Sequence, residues 1–229
     1  MYNTDYLHMS QKRFENQRKE FLMKEGIQVF IKDKISNGIQ LKDVLDVINS
    51  YIPSHLLGEI DSIYVGTFDD FEKKETNAAY KDGAIYVSNE QDSEQDLIDD
   101  LVHEIAHSLE EPFGYMIYGD RKLEDEFLAK REKLYEILKA EGLKPKYDLF
   151  METEYNPKMD NYLYKKVGYD RLNFIMNSYG IFTSAYPATS LREYFASGFE
   201  YYFLENPMEL MKISPVLYRK IEELHNYDK

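Results

Sequence analysis

Apolar residues recur along this chain at two different periods. Between 94 and 110, Leu97, Ile98, Leu101, Val102, Ile105 and Leu109 return every three or four positions, the spacing that gives a helix one buried stripe. The same rhythm predicts helices at 41–51, 122–141, 170–178, 190–205 and 214–225, and a helix from Ser10 to Lys34 interrupted near Gly26. Two short β-branched and aromatic runs, Ile63-Tyr64-Val65 and Ala84-Ile85-Tyr86-Val87-Ser88, predict strands instead. Gly114, Gly142, Pro145, Pro157, Gly168, Gly180 and Pro187 fall in the expected connections. The pattern is that of an α+β protein with more helix than sheet.

No repeat, low-complexity tract or Gly/Ser linker divides the chain, so one compact unit is expected. Its 229 residues, 43% of them hydrophobic, suffice for a sizeable core. The absence of cysteine excludes disulfides and thiolate sites, so any metal must be held by His, Asp or Glu. A net charge of -14, from 42 Asp+Glu against 28 Lys+Arg, repels nucleic-acid phosphates and anionic lipid heads. A basic peptide is the better partner. The polar stretch Met1 to Phe14 lacks the apolar core of a signal peptide, and no segment approaches the roughly 18 apolar residues of a membrane span. A soluble protein of the compartment that makes it is the expectation.

Candidate chemistry concentrates in His103-Glu104-Ile105-Ala106-His107. Residues four apart stack one turn above each other on a helix, so His103 and His107 can offer two imidazole nitrogens to one cation, with Glu104 beside them to handle a proton. On a helical wheel from Leu97 the apolar stripe covers about 0° to 140°, whereas the two histidines fall near about 240° and 280°. They therefore do not share the buried arc. Ser93 with Asp96 three residues later marks the helix start. Catalytic zinc takes three protein ligands and leaves a position for water, so a third ligand is expected downstream. Two residues compete for it. Glu126 lies on the next expected helix, a spacing close to that of thermolysin-like enzymes. Glu193 lies in Ser190-Leu191-Arg192-Glu193-Tyr194-Phe195-Ala196-Ser197, on a helix whose apolar side chains leave Glu193, Ser197 and Glu200 together on the opposite face.

The pair of motifs, His103-Glu104-Ile105-Ala106-His107 and Glu193-Tyr194-Phe195-Ala196, resembles the zinc peptidase domain of anthrax lethal factor and the bacterial Pro-Pro endopeptidases. Ser108 to Tyr115 and Ile137 to Gly142 are similar to that family at similar offsets, so the resemblance runs from about Ala84 to Leu204. It implies a mostly helical, zincin-like metallopeptidase unit over 61–229, with a small sheet whose edge strand, Ala84–Ser88, precedes the active-site helix and lines the substrate. Residues 1–60 are expected to form a helical segment packed on that unit. The resemblance further implies Zn2+ on His103, His107 and Glu193, Glu104 as general base, and Tyr186, seven residues before Glu193, donating to the oxyanion. Loss of Glu104 is then expected to cost activity while sparing the metal, and loss of Glu193 to weaken the metal itself.

Three departures bear on the expectation. An insertion at about 143–184 has no counterpart in the family. Ser197 stands where the family carries a glutamate that steadies a ligand histidine, leaving that contact to Glu200 or Asp100. The chain has no Trp and so lacks a substrate-pocket residue of the Pro-Pro endopeptidases, whose proline preference is not carried over. A catalytically silent binding or structural module that keeps the fold is the alternative. Elsewhere, Tyr194, Tyr201 and Tyr202 read as core packing, His8, His55 and His225 as surface or capping residues, Asp92 to Asp100 as a helix start, and the acidic residues of 122–136 as a solvated face.

Overall fold

The computed structural model describes residues 20–36, 38–69, 71 and 76–227. His8 and the first half of the helix expected over Ser10–Lys34 lie outside them. The rest of that helix is replaced by two strands, β1 (Glu20–Leu22) and β2 (Gln28–Ile31), around a 3-10 turn at Lys24–Gly26. The reason is local. Glu25 and Gly26 both take left-handed backbone angles, with φ of 61° and 81°, which reverse the chain where a helix would continue. Val29, Phe30 and Ile31 then find cross-strand partners that no local periodicity reveals.

Helix α1 (Leu41–Tyr51) carries the chain from β2 to a parallel partner, β3 (Ser62–Gly66). A boundary at residue 60 would cut this β2–β3 ladder, so the first third of the chain supplies sheet as well as helix. Two more strands follow, β4 (Ala78–Lys81) and β5 (Ala84–Ser88). They form a hairpin on Asp82-Gly83, both with positive φ (50° and 80°), as the tightest right-twisted turns require. The sheet order is β1-β2-β3-β5-β4, parallel through β2, β3 and β5, and antiparallel at both margins. Ala84–Ser88 is therefore an interior strand. The margin next to the motif helix is β4, which the strand expectations omitted.

One sheet face, with Val29, Ile63 and Ile85, is fully buried. The other carries a ladder of Phe30, Tyr64 and Tyr86, whose ring centroids stack 5.1 and 5.3 Å apart.

Helix α2 (Glu94–Tyr118) starts where expected and packs on α1, β4 and β5, burying Leu97, Ile98, Leu101, Val102, Ile105 and Leu109. It does not end near Glu111. It runs through Pro112 and Gly114, although an interior proline costs about 3 kcal/mol. Packing offsets that cost: Ile117 is fully buried, the Tyr118 hydroxyl bonds Glu110, and Lys220 Nζ donates to the Met116 carbonyl at 2.6 Å.

Helix α3 (Lys122–Ala140) leads into the 143–184 connection, which holds α4 (Tyr147–Phe150), α5 (Pro157–Asn161), a π turn at Tyr162–Val167 and α6 (Tyr169–Tyr179). After a 3-10 turn at Tyr186–Ala188 come α7 (Leu191–Leu204), α8 (Pro207–Ile213) and α9 (Pro215–His225). Mixed α+β with helix dominant is thus the observed class. Among the described residues no helix is long and apolar enough to cross a membrane.

Arg131, on α3, is fully buried. Its guanidinium donates to the carbonyls of Phe150 (3.1 Å), Leu149 (2.7 Å) and Ala188 (2.6 Å), tying the inserted connection to the turn that carries Tyr186. Burial lowers its pKa to about 10, only partly offset by the Glu152 charge.

Candidate metal centre

Two serines set the helices that build the site. Ser93 Oγ accepts the Asp96 N–H at 3.1 Å and opens α2, while Ser190 Oγ accepts the Glu193 N–H at 3.2 Å and opens α7. Ser190 and Glu193 have the spacing of a reciprocal capping pair. The Glu193 carboxylate, however, reaches across to α2, against which α7 packs.

Both imidazoles turn one nitrogen to that carboxylate. His103 Nε2 lies 2.9 Å from Glu193 Oε2, and His107 Nε2 lies 3.5 Å from the same oxygen. The opposite nitrogens are backed by separate carboxylates, His103 Nδ1 by Glu200 at 3.4 Å and His107 Nδ1 by Glu110 at 3.1 Å. One donor atom from each of His103, His107 and Glu193 fits within 4.8 Å of the others. Ligand bonds of 2.0–2.2 Å in tetrahedral array place donor atoms about 3.4 Å apart, so the three could hold zinc. At 2.9 Å the His103–Glu193 pair is within hydrogen-bond reach, and a cation would take the place of the proton between them.

The charges of the site are mutually dependent. Burial disfavours the imidazolium of His103, but hydrogen bonds to Glu193 and Glu200 win and raise its pKa to about 10. His107 rises to about 9, with burial again overcome by Glu110 and Glu193. Burial pushes the Glu193 carboxyl up, yet the two histidines hold it well below the usual carboxylate range. Glu104 is shifted up by burial, only partly offset by His107, His103 and the Tyr80 N–H, which donates to its Oε2 at 2.6 Å. That N–H comes from β4, so the margin strand touches the motif helix through Glu104 itself. Tyr186 stands with its ring 5.8 Å from that of His103, and burial followed by the Glu193 charge pushes its hydroxyl well above the usual tyrosine range.

Five residues named from the sequence, His103, Glu104, His107, Tyr186 and Glu193, are thus brought together. Glu126 is not among them. It accepts the Tyr194 hydroxyl (2.8 Å) and the backbone N–H groups of Val216 (2.9 Å) and Leu217 (3.1 Å), capping α9. Of the two residues expected to stand behind a ligand histidine in place of Ser197, Glu200 reaches His103, whereas Asp100 accepts from Gln91 at 2.9 Å. Sequence reasoning passed over Glu110, Arg192 and Tyr118. Glu110 lies three residues after His107, one turn along the same helix face, which was the available signal.

Comparison of the chain with models of protein families, with curated proteins and with solved structures finds no match in any of the three.

Proposed function

We propose that this chain is a zinc-dependent endopeptidase with a zincin-like fold, of the kind the lethal factor and Pro-Pro endopeptidase resemblance implies. The observation that carries the reading is the convergence of His103 Nε2 and His107 Nε2 on one Glu193 oxygen while each opposite nitrogen is held by its own carboxylate, the arrangement that orients metal-binding imidazoles.

Zinc, when bound there, supplies a Lewis acid that polarises a scissile carbonyl and acidifies water. The rest of the work falls to the chain's own groups. Glu104 is buried with an upshifted pKa, which moves it toward the range of an effective general base. Its Oε2 is fixed by the Tyr80 N–H, which leaves Oε1 to take the proton of the attacking water and pass it to the departing amine. Tyr186 keeps its hydroxyl proton through its raised pKa and donates it in a hydrogen bond to the developing oxyanion. The substrate chain lies along β4, whose outer margin borders α2. Main-chain pairing there contributes affinity with little sequence preference, and the chain's net charge of -14 favours basic peptides.

Elemental analysis of purified, undialysed protein tests the metal. About one zinc per wild-type chain, sharply reduced in Glu193→Ala, supports the reading. Little metal in wild type favours a silent module in which His103 and Glu193 are simply an ion pair. A peptide library then tests the chemistry: Glu104→Gln is expected to lose on the order of 10²- to 10⁴-fold in rate with its zinc retained.

A further inference from the structure

Three helix positions, His103, His107 and Glu110, share one face of α2 and meet a single turn of α7, which presents Arg192 and Glu193 side by side. Glu110 is at the centre of this contact. Its Oε2 accepts from His107 Nδ1 at 3.1 Å and from Arg192 Nε and Nη2 at 2.7 and 2.5 Å, and its Oε1 accepts the Tyr118 hydroxyl at 2.6 Å. Every bond of this side chain, itself only 9% exposed, therefore restricts where His107 can point. His103 is held more loosely: its partner Glu200 sits at 3.4 Å and is 33% exposed.

We infer that Glu110 is a positioning residue that aims His107 at the metal, and that the Arg192–Glu110 clamp sets the approach of α7, and with it of Glu193, to α2. The inference rests on the metal reading above. An exposed helix-to-helix ion pair would contribute little to stability and nothing to a metal. This pair differs because Arg192 immediately precedes the third ligand and because the carboxylate it grips also grips the second. Carboxylates that orient a metal-binding histidine are each worth about 10- to 100-fold in metal affinity. The tighter Glu110 contact is expected to lie at the upper end of that range and the Glu200 contact at the lower.

The test uses the full chain stripped with chelator and reloaded with zinc under chelator competition, in wild type, Glu110→Gln, Arg192→Ala and Glu200→Gln. Glu110→Gln is expected to bind zinc about 10- to 100-fold more weakly, with Arg192→Ala shifted the same way and Glu200→Gln less affected than Glu110→Gln. Cobalt substitution reads the geometry directly: the visible bands of Glu110→Gln are expected to move relative to wild type. Melting of each metal-free variant reports the purely structural role. Wild-type affinity and cobalt bands in Glu110→Gln, with only its melting temperature changed, would overturn the inference and leave the metal reading intact. A wild-type chain that takes up neither metal overturns both.

Discussion

At the scale of single residues, protons and the proposed metal would compete for the same nitrogens. In metal-free protein, His103 and His107 have pKa values raised to about 10 and about 9 from 6.5, because each gains carboxylate partners on folding. A raised folded pKa contributes stability that is fully present below the unfolded value and is lost as pH climbs through the folded one. The chelator-treated protein is therefore expected to melt at progressively lower temperature between about pH 6.5 and pH 10. Zinc affinity runs the other way, since each imidazolium must lose its proton to bind, and is expected to rise over the same window. Melting curves against pH with and without chelator check this: the metal-free protein is expected to lose stability across the window while the zinc-loaded protein, whose imidazoles are already unprotonated, stays level, and equal falls in both would contradict the linkage. His103 and His107 were legible in the sequence because a four-residue spacing on a helix is a local fact. Glu110 was not, since a glutamate one turn along an acidic helix reads equally well as solvated until Arg192 arrives from the other side of the fold.

At the scale of elements, Glu126 shows how a carboxylate of the right type can serve the scaffold instead. It holds the first turn of α9 and the Tyr194 hydroxyl. Glu126→Gln is expected to lower stability by about 1–2 kcal/mol with zinc content unchanged. Unfolding in denaturant, paired with metal analysis, separates this from the ligand role, which would show lost zinc. Gly198 lies close against α9, because a Cβ there would fall on the side chain of Leu217. Gly198→Ala is expected to destabilise by about 1–3 kcal/mol despite the gain in helix propensity, and trimming Leu217 to Val to restore part of it. The helices at 41–51, 122–141, 170–178, 190–205 and 214–225 were readable from apolar spacing within a residue or two of their observed ends. The N-terminal strands were not, because their apolar residues are spaced as in a helix and only pairing with β3 decides otherwise. The β4–β5 hairpin did carry a signal, Asp82-Gly83, which was overlooked between short flanking runs.

At the scale of the whole molecule, Arg131 joins parts that no pattern along the chain links. Its replacement by Met would strand several buried carbonyls at about 1–3 kcal/mol each, so a loss of about 3 kcal/mol or more is expected. For a chain of this length that corresponds to a melting temperature lower by roughly 6–12 °C. Tyr186, whose turn depends on the Ala188 carbonyl, is expected to be displaced with it. Activity would then fall while zinc stays bound, a combination that metal analysis and a peptide assay on the same sample can verify. The wider architecture follows one division of labour. The sheet and α1 bury a face and present β4, α2 carries three of the five site residues, and everything after residue 140 closes the other side.

That division has a temporal side. His103 and Glu193 are 90 positions apart. A ribosome adding roughly 5–20 residues per second needs about 5–20 s to travel between them. During that interval the nascent chain carries His103, Glu104 and His107 but not Glu193, the third ligand of the proposed site, and Glu110 has no Arg192 to pair with. On the proposed metal reading, loading is expected to follow the emergence of α7. If the chain is the peptidase proposed above, it is expected to stay inactive until α7 has been synthesised and docked.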